Sequence, residues 1–256
     1  MENNTNTNAT VAKKKKKKNP FLIALFIFLG VIFVLLIAFL IYLSIYAKAD
    51  EKADQALASD DTVKVEEIDE GYFFDGPSED KAIIFYPGAK VETKAYAPLL
   101  HEVASEDADV FLLSMPFHMA FFSIHKADTI KAKYSSYTSY FMAGHSLGAA
   151  MAGEYVSSHL DDYKGLIFLA GYPTKDLHHD GFSLLSIYGS KDGHTSMLAK
   201  NPEYRPADYT EVVIEGGNHA QFGNYGIQSG DGEASITREK QQQETVLAIG
   251  DYLSKH

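Results

Sequence analysis

Residues 140–153 constrain the fold of this chain more than any other stretch. The apolar run Tyr140, Phe141, Met142, Ala143 leads into Gly144-His145-Ser146-Leu147-Gly148, and a segment rich in small residues, 149–153, follows at once. That order reads as a strand, a sharp turn and a helix. The Gly-x-Ser-x-Gly spacing has a steric reason: turning from strand to helix at one residue crowds the positions two before and two after it, where glycine avoids a clash. The serine is then held in a strained conformation, its hydroxyl raised above the sheet edge with a helix N-terminus beneath it.

The rest of the body repeats the alternation. Val63 and Val65 alternate with charged residues as in a half-buried strand, and 72–74 looks like its partner before an Asp75-Gly76-Pro77 turn. Residues 82–86 are continuously apolar, the mark of a strand covered on both faces. Tyr96, Leu99, Leu100 and Val103 fall on one helical face. Strands follow at 110–113, 140–143, 166–170, 184–188 and 212–214, with helices through about 133, over 147–159 and from about Thr237. Strands alternating with helices predict an α/β fold: a mostly parallel sheet flanked by helices over residues 62–256, with no second domain.

The N-terminus is built differently. Residues 1–12 are polar and without periodicity, and six lysines follow at 13–18. Residues 21–46 then run for 26 positions without a charge, about 39 Å as a helix, enough to cross a bilayer core of roughly 30 Å with some tilt. No polar face interrupts the run, which reads as a transmembrane helix. Lysines before it and an acidic chain after it put the tail, 1–20, in the cytoplasm and the body outside by the positive-inside rule, so that the expected location is a single-pass cell-membrane protein. A cleavable signal peptide is the alternative, because Ala47-Lys48-Ala49 has the small-x-small form of a cleavage site, although typical cleaved apolar regions span only about 7 to 15 residues. Residues 47–61 read as a short spacer.

Charge narrows the function classes. The net charge of -11 divides into +6 over residues 1–49 and -17 over 50–256. So acidic a body is a poor nucleic-acid binder. With no cysteine in the chain, disulfides, thiolate metal sites and a cysteine nucleophile drop out. The 46% hydrophobic content is ample for a buried core.

If Ser146 is a nucleophile it needs a base for its proton and an acid to orient that base. The ends of parallel strands are where such residues meet. Asp192, in Gly189-Ser190-Lys191-Asp192-Gly193, follows one predicted strand, and His219, in Gly216-Gly217-Asn218-His219-Ala220, follows another. Asp192 also suits a plain tight turn, with Asp176 and Asp180 as substitutes for the acid. His178-His179 has no carboxylate or cysteine at ligand spacing and reads as a solvated loop, so no metal is expected. His145, next to Ser146 on a strained turn, is expected to fill the elbow. Residues 115–122 form an aromatic stretch that reads equally as pocket lining or as core, and 224–234 as a surface loop near the site.

In these residues the chain resembles the α/β-hydrolase superfamily, which uses the order Ser146, Asp192, His219. More narrowly it is similar to the small lid-less branch related to dienelactone hydrolase, through Phe85-Tyr86-Pro87-Gly88-Ala89-Lys90-Val91, the Gly-His-Ser-Leu-Gly elbow and Gly217-Asn218-His219-Ala220-Gln221-Phe222-Gly223. The resemblance covers about residues 62–256. It implies that His219 is general base and then general acid, that Asp192 fixes its tautomer, and that the backbone N–H groups of Leu147 and Ala89 form the oxyanion hole. It implies no cofactor. Only about a dozen residues separate the strand ending at Ala170 from Leu184, too few for a helical cap, so the site is expected to be open and suited to small or protruding esters. The expected function is a membrane-anchored serine hydrolase acting on a small-molecule carboxylic ester or small lactone. Acyl transfer on the same triad, and a non-catalytic surface-binding module on this scaffold, are the rivals. The sequence leaves the oligomeric state open.

Overall fold

The computed structural model describes residues 19–256; the lysines expected in a basic tail lie outside the described residues. The chain forms two units, Met1–Ser44 and Ile45–His256. In the first, helix α1 (Pro20–Ser44) runs for 25 residues. Pro20 sits at its first position, where its missing N–H costs nothing, and the Asn19 side chain accepts from the Phe21 amide at 3.0 Å. The helix carries no charge and is long and apolar enough to cross a membrane.

The second unit begins with α2 (Glu51–Gln55), capped by the Asp50 carboxylate on the amides of Lys52 and Ala53. The elements that follow are β1 (Lys64–Ile68), β2 (Gly71–Asp75), β3 (Lys81–Tyr86), α3 (Ala97–Ala104), β4 (Asp109–Leu113), α4 (Lys126–Lys133), β5 (Ser139–His145) and α5 (Leu147–Val156). Then come β6 (Gly165–Leu169), β7 (Ser183–Gly189), α6 (Thr195–Leu198), β8 (Asp208–Ile214) and α7 (Arg238–Leu253). The strands form one eight-stranded sheet in the order β1-β2-β4-β3-β5-β6-β7-β8. β2 runs against both its neighbours, and from β4 to β8 every pairing is parallel.

Strand parity sorts the core into two layers, as the continuous apolar runs require. Ile83, Phe85, Phe141, Ala143, Ile167 and Leu185 face α3 and α7. Ala82, Ile84, Met142, Phe168 and Leu184 face α4 and α5, where Ala127, Ile130, Ala149, Ala152 and Tyr155 meet them. Between β6 and β7 the chain makes only turns and bends, so no helical cap is inserted at that connection. β3 continues to β4 on one side and its other neighbour, β5, continues to β6 on the opposite side, so the connections after these two adjacent strands leave in opposite directions and their C-terminal ends open into the crevice where such sheets hold ligands.

The segment read as a spacer is part of this unit. The Ala47 amide donates to the Lys90 carbonyl at 2.8 Å, its carbonyl accepts from Glu92 at 2.9 Å, and the Asp50 amide donates to the Asn224 carbonyl at 2.9 Å. Ala- and Asp-rich composition concealed these bonds, since most are made by the backbone.

Candidate active site

Ser146 links β5 directly to α5 with φ 55° and ψ -121°, a left-handed setting that costs a non-glycine residue roughly 1–3 kcal/mol. The neighbours that permit it are the two glycines. A Cβ on Gly148 would meet the carbonyl oxygens of Tyr86 and Pro87 at 2.2 and 2.3 Å, and one on Gly144 would meet the Gly148 carbonyl carbon at 2.6 Å. The Ser146 amide donates to the Leu169 carbonyl at 3.0 Å, which fixes the turn to β6. Leu147 opens α5, so its N–H has no acceptor within the helix and faces the N-terminal end of the macrodipole.

Asp192 lies three residues beyond β7. Its side chain is fully buried, and both oxygens accept hydrogen bonds: Oδ1 from the His194 amide at 2.7 Å, Oδ2 from His219 Nδ1 at 2.8 Å. The aspartate that could have been a mere turn former is therefore the partner of the candidate base. Asp176 and Asp180, the substitutes, are exposed; Asp176 is taken up by His178 at 2.6 Å, while His179 pairs with Asp161 at 2.9 Å.

His219 follows β8 and is 3% exposed. With Nδ1–H given to a carboxylate, the neutral ring carries its lone pair on Nε2, and that buried atom has no hydrogen-bond partner among the described residues. Ser146 and His219 line one cavity of about 190 Å³ together with Leu147, Tyr172, His194 and Met197. No hydrogen bond joins the Ser146 hydroxyl to His219 among the described residues, a separation common where catalytic contacts close only around substrate. On the other side of Ser146 a second cavity, of about 350 Å³, is lined by Ala89, Lys90, His145, Tyr225 and Ile227. Its wall includes Gly88, whose amide donates to the Tyr96 hydroxyl at 3.0 Å, so Ala89 is the residue of this loop left to offer an N–H.

Asp192, His194 and His219 each offer a ligand atom within 4.8 Å of the others. Ligands of one tetrahedral ion stand about 3.4 Å apart for bonds of about 2.1 Å. The 2.8 Å contact between Asp192 and His219 is shorter than that and has the length of a hydrogen bond.

The chain matches the pattern of the Alpha/beta hydrolase family over residues 82–243, a span that contains Ser146, Asp192 and His219. It belongs to that family. No curated protein matches it in sequence. Among solved structures its fold is similar to Est1E from Butyrivibrio proteoclasticus, at 14% identity and TM-score 0.51 over 76% of this chain and 98% of that one. It is likewise similar to TT1662 from Thermus thermophilus, at 14% identity and TM-score 0.52 over 75% and 98%. The esterase Rv0045c from Mycobacterium tuberculosis gives 12% identity and TM-score 0.52 over 80% and 95%. At these identities the likeness is one of fold.

Three polar residues hold this hydrolase site from outside the predicted set. Asp231 accepts from the amides of Gly193 and His219, both at 3.1 Å, and of Ala220 at 2.8 Å, tying the Asp192 and His219 loops to one carboxylate. Gln241 on α7 grips Asn218 at both ends, accepting its N–H at 2.9 Å and donating to its carbonyl at 2.8 Å. The His194 ring lies against that of His219, tilted by 56° with ring centres 4.8 Å apart. The glycine-rich loop at 216–218, full of amides needing acceptors, was the one signal that pointed to such residues. Of the aromatic stretch, Met115 and Ala120 are core, whereas Phe117, Phe121 and Phe122 stand 43–49% exposed; Phe121 and Phe122 line a surface cavity of about 520 Å³ with Asp69 and Glu70, distinct from the two that hold Ser146.

Proposed function

We propose that this chain is a membrane-anchored serine hydrolase that cleaves carboxylic esters, small lactones among them, through an acyl-enzyme on Ser146. One observation carries the reading: Asp192 holds His219 by Nδ1, and the unpartnered, buried Nε2 belongs to a residue lining the same cavity as Ser146. In the first half-reaction Ser146 Oγ attacks the ester carbonyl while Nε2 takes its proton, and the imidazolium is stabilised by Asp192. The oxyanion is received by the N–H groups of Leu147 and Ala89; one such donor is worth roughly 3–4 kcal/mol. His219 then protonates the leaving alcohol. Water, deprotonated by the same nitrogen, releases the acid and restores Ser146.

The uncharged run and the lysines before it support an anchor with its N-terminus in the cytoplasm and the hydrolase outside. Cleavage after Ala49 would strip Ala47 from Lys90 and Glu92, and Ala49 from the Glu92 carboxylate at 2.9 Å; those bonds favour retention. The esterase name of one solved structure of this fold agrees with ester cleavage. Labelling of the full chain by a fluorophosphonate tests the reading. Wild type is expected to label and Ser146→Ala not to; equal labelling of both, or none, would leave a binding module. With water-dispersed esters of increasing acyl length, the absence of a cap predicts faster turnover of the short ones.

A further inference from the structure

Ala47 directly follows residues 21–46, the uncharged run, and it forms part of the wall of the 350 Å³ cavity that holds Ser146 and Ala89. The surroundings of that residue are built as an interface. The Tyr46 ring packs against that of His118, tilted by 34° with ring centres 3.9 Å apart, and the His118 carbonyl accepts from the Lys90 amide at 2.7 Å, so the first residues of the folded unit are clamped to the loop carrying the candidate oxyanion donor. Lys48 reaches back over the Tyr46 ring at 4.1 Å, a pairing of amphipathic side chains suited to the headgroup level of a bilayer.

Apolar side chains stand out of this same rim. Ile227, on the cavity wall, is 99% exposed, and Ile45 is 61% exposed. Phe117, next to the His118 on which Tyr46 packs, is 49% exposed with Phe122 at 5.4 Å, while Phe121 and Phe122 line a separate cavity with Asp69 and Glu70. Side chains of this size, left in water around a cavity, mark a surface that meets something apolar. In a body of net -17 over residues 50–256, Lys90 lines the cavity and Lys48 stands next to Ala47, with the Glu92 carboxylate close by accepting from the Ala49 amide.

Resting on the anchored-hydrolase reading, we propose that the Ser146 cavity faces the surface of the bilayer that holds residues 21–46 and takes its substrate from it. The substrate class is a membrane-resident amphiphilic ester whose carbonyl enters the cavity while its tail stays in lipid. A cavity at the small end of ligand pockets suits the ester group and a few carbons, not a long chain. The bonds broken and formed are those given above: the acyl group passes to Ser146, the alcohol leaves with the proton held by His219, and water releases the acid.

The test reconstitutes the full chain in phosphatidylcholine vesicles and compares 4-methylumbelliferyl oleate, dissolved in those vesicles, with water-soluble 4-methylumbelliferyl acetate. The readout is the ratio of the two turnover rates. Wild type is expected to cleave both, and Ile227→Asp and Phe117→Asp each to lower the ratio about tenfold. Ratios unchanged in both variants, or cleavage of acetate alone by wild type, would overturn the bilayer-facing cavity and leave the serine hydrolase standing. Cleavage of neither ester would overturn both. If the unchanged ratio is accompanied by conversion of a dimer to a monomer in Ile227→Asp, the rim is a contact between copies and the proposal fails.

Discussion

His145 donates its Nε2–H to the backbone carbonyl of His219 at 3.0 Å. A carbonyl only accepts, so the proton of the neutral ring is on Nε2, and Nδ1 accepts from the Tyr96 hydroxyl at 2.8 Å. The Tyr96 oxygen in turn accepts from the Gly88 amide. One buried line of hydrogen bonds thus joins the loop after β3, which carries Ala89, to the loop after β8, which carries His219, passing beneath Ser146. The residue before the candidate nucleophile is a strut between the two loops that the proposed chemistry needs at a fixed spacing.

That strut makes stability depend on pH. His145 is 1% exposed, and burial first, then the neighbouring His219, hold its pKa well below the ordinary 6.5. The unfolded chain takes up a proton near 6.5 while the folded chain refuses it, so the contribution of His145 is complete above that pH and is lost as pH falls. Burial shifts His118 the same way. Urea unfolding between pH 7 and 5 is expected to show stability falling by up to about 1.4 kcal/mol per pH unit from His145, with a smaller part from His118. His145→Gln, which has no proton to gain, is expected to flatten that slope by about one proton's worth; an unchanged slope would place the loss elsewhere.

Tyr96→Phe tests the strut from its middle. The change removes one oxygen and leaves two buried groups, the Gly88 N–H and His145 Nδ1, without their partner. An unpaired buried group costs about 1–3 kcal/mol. Chemical denaturation is expected to show a loss in that range or somewhat above it, and turnover of a soluble ester to fall with little change in KM, because the loop carrying Ala89 loses its tie. A loss under half a kcal/mol would mean that the hydroxyl is not needed there.

Asp192→Asn separates orientation of the proposed base, His219, from its presence. The amide side chain can still meet His219 Nδ1, but its NH2 favours the tautomer with the proton on Nε2, the wrong nitrogen for taking one from Ser146. Turnover is expected to fall about 10⁴-fold near neutral pH. Wild-type rates in that variant, checked by ester hydrolysis with active-site titration, would return Asp192 to the role of turn former.

The sheet and the elbow were legible because both are written in short-range rules. Phe85 and Phe141 sit in apolar runs that can only be strands covered on two faces, and Gly144 and Gly148 mark a turn by what they lack. Asp192 and His219 were legible as strand-end residues in glycine-rich loops, and the family order joined them to Ser146. Gln241 was not: it is a polar residue at a buried position of α7, and nothing in an amphipathic pattern marks which polar side chain turns inward. Asp231 lay hidden in a loop that reads as solvent-exposed, since its partners are backbone amides separated from it by 11, 12 and 38 residues. The ties of residues 47–50 are of the same kind: backbone bonds leave no trace in side-chain composition.

Asp50 is where those ties converge, and its removal gauges how much the first residues of the folded unit matter to the site. The carboxylate caps α2, receives Arg238 at 2.7 Å and Asn224 Nδ2 at 3.1 Å, while the Asp50 amide donates to the Asn224 carbonyl. Asn224 opens the loop whose Tyr225 and Ile227 line the Ser146 cavity. Asp50→Ala removes the cap and the ion pair together and is expected to cost about 2 kcal/mol, a cap alone being worth about 1. Asp50→Asn keeps an acceptor for the helix amides and loses the charge facing Arg238, so about half that loss is expected. A double-mutant cycle with Arg238→Ala isolates the pair. Coupling near zero would mean that Arg238 merely lies alongside. Coupling of about 1 kcal/mol, together with slower ester turnover in Asp50→Ala, is the outcome expected if this residue braces the wall of the cavity.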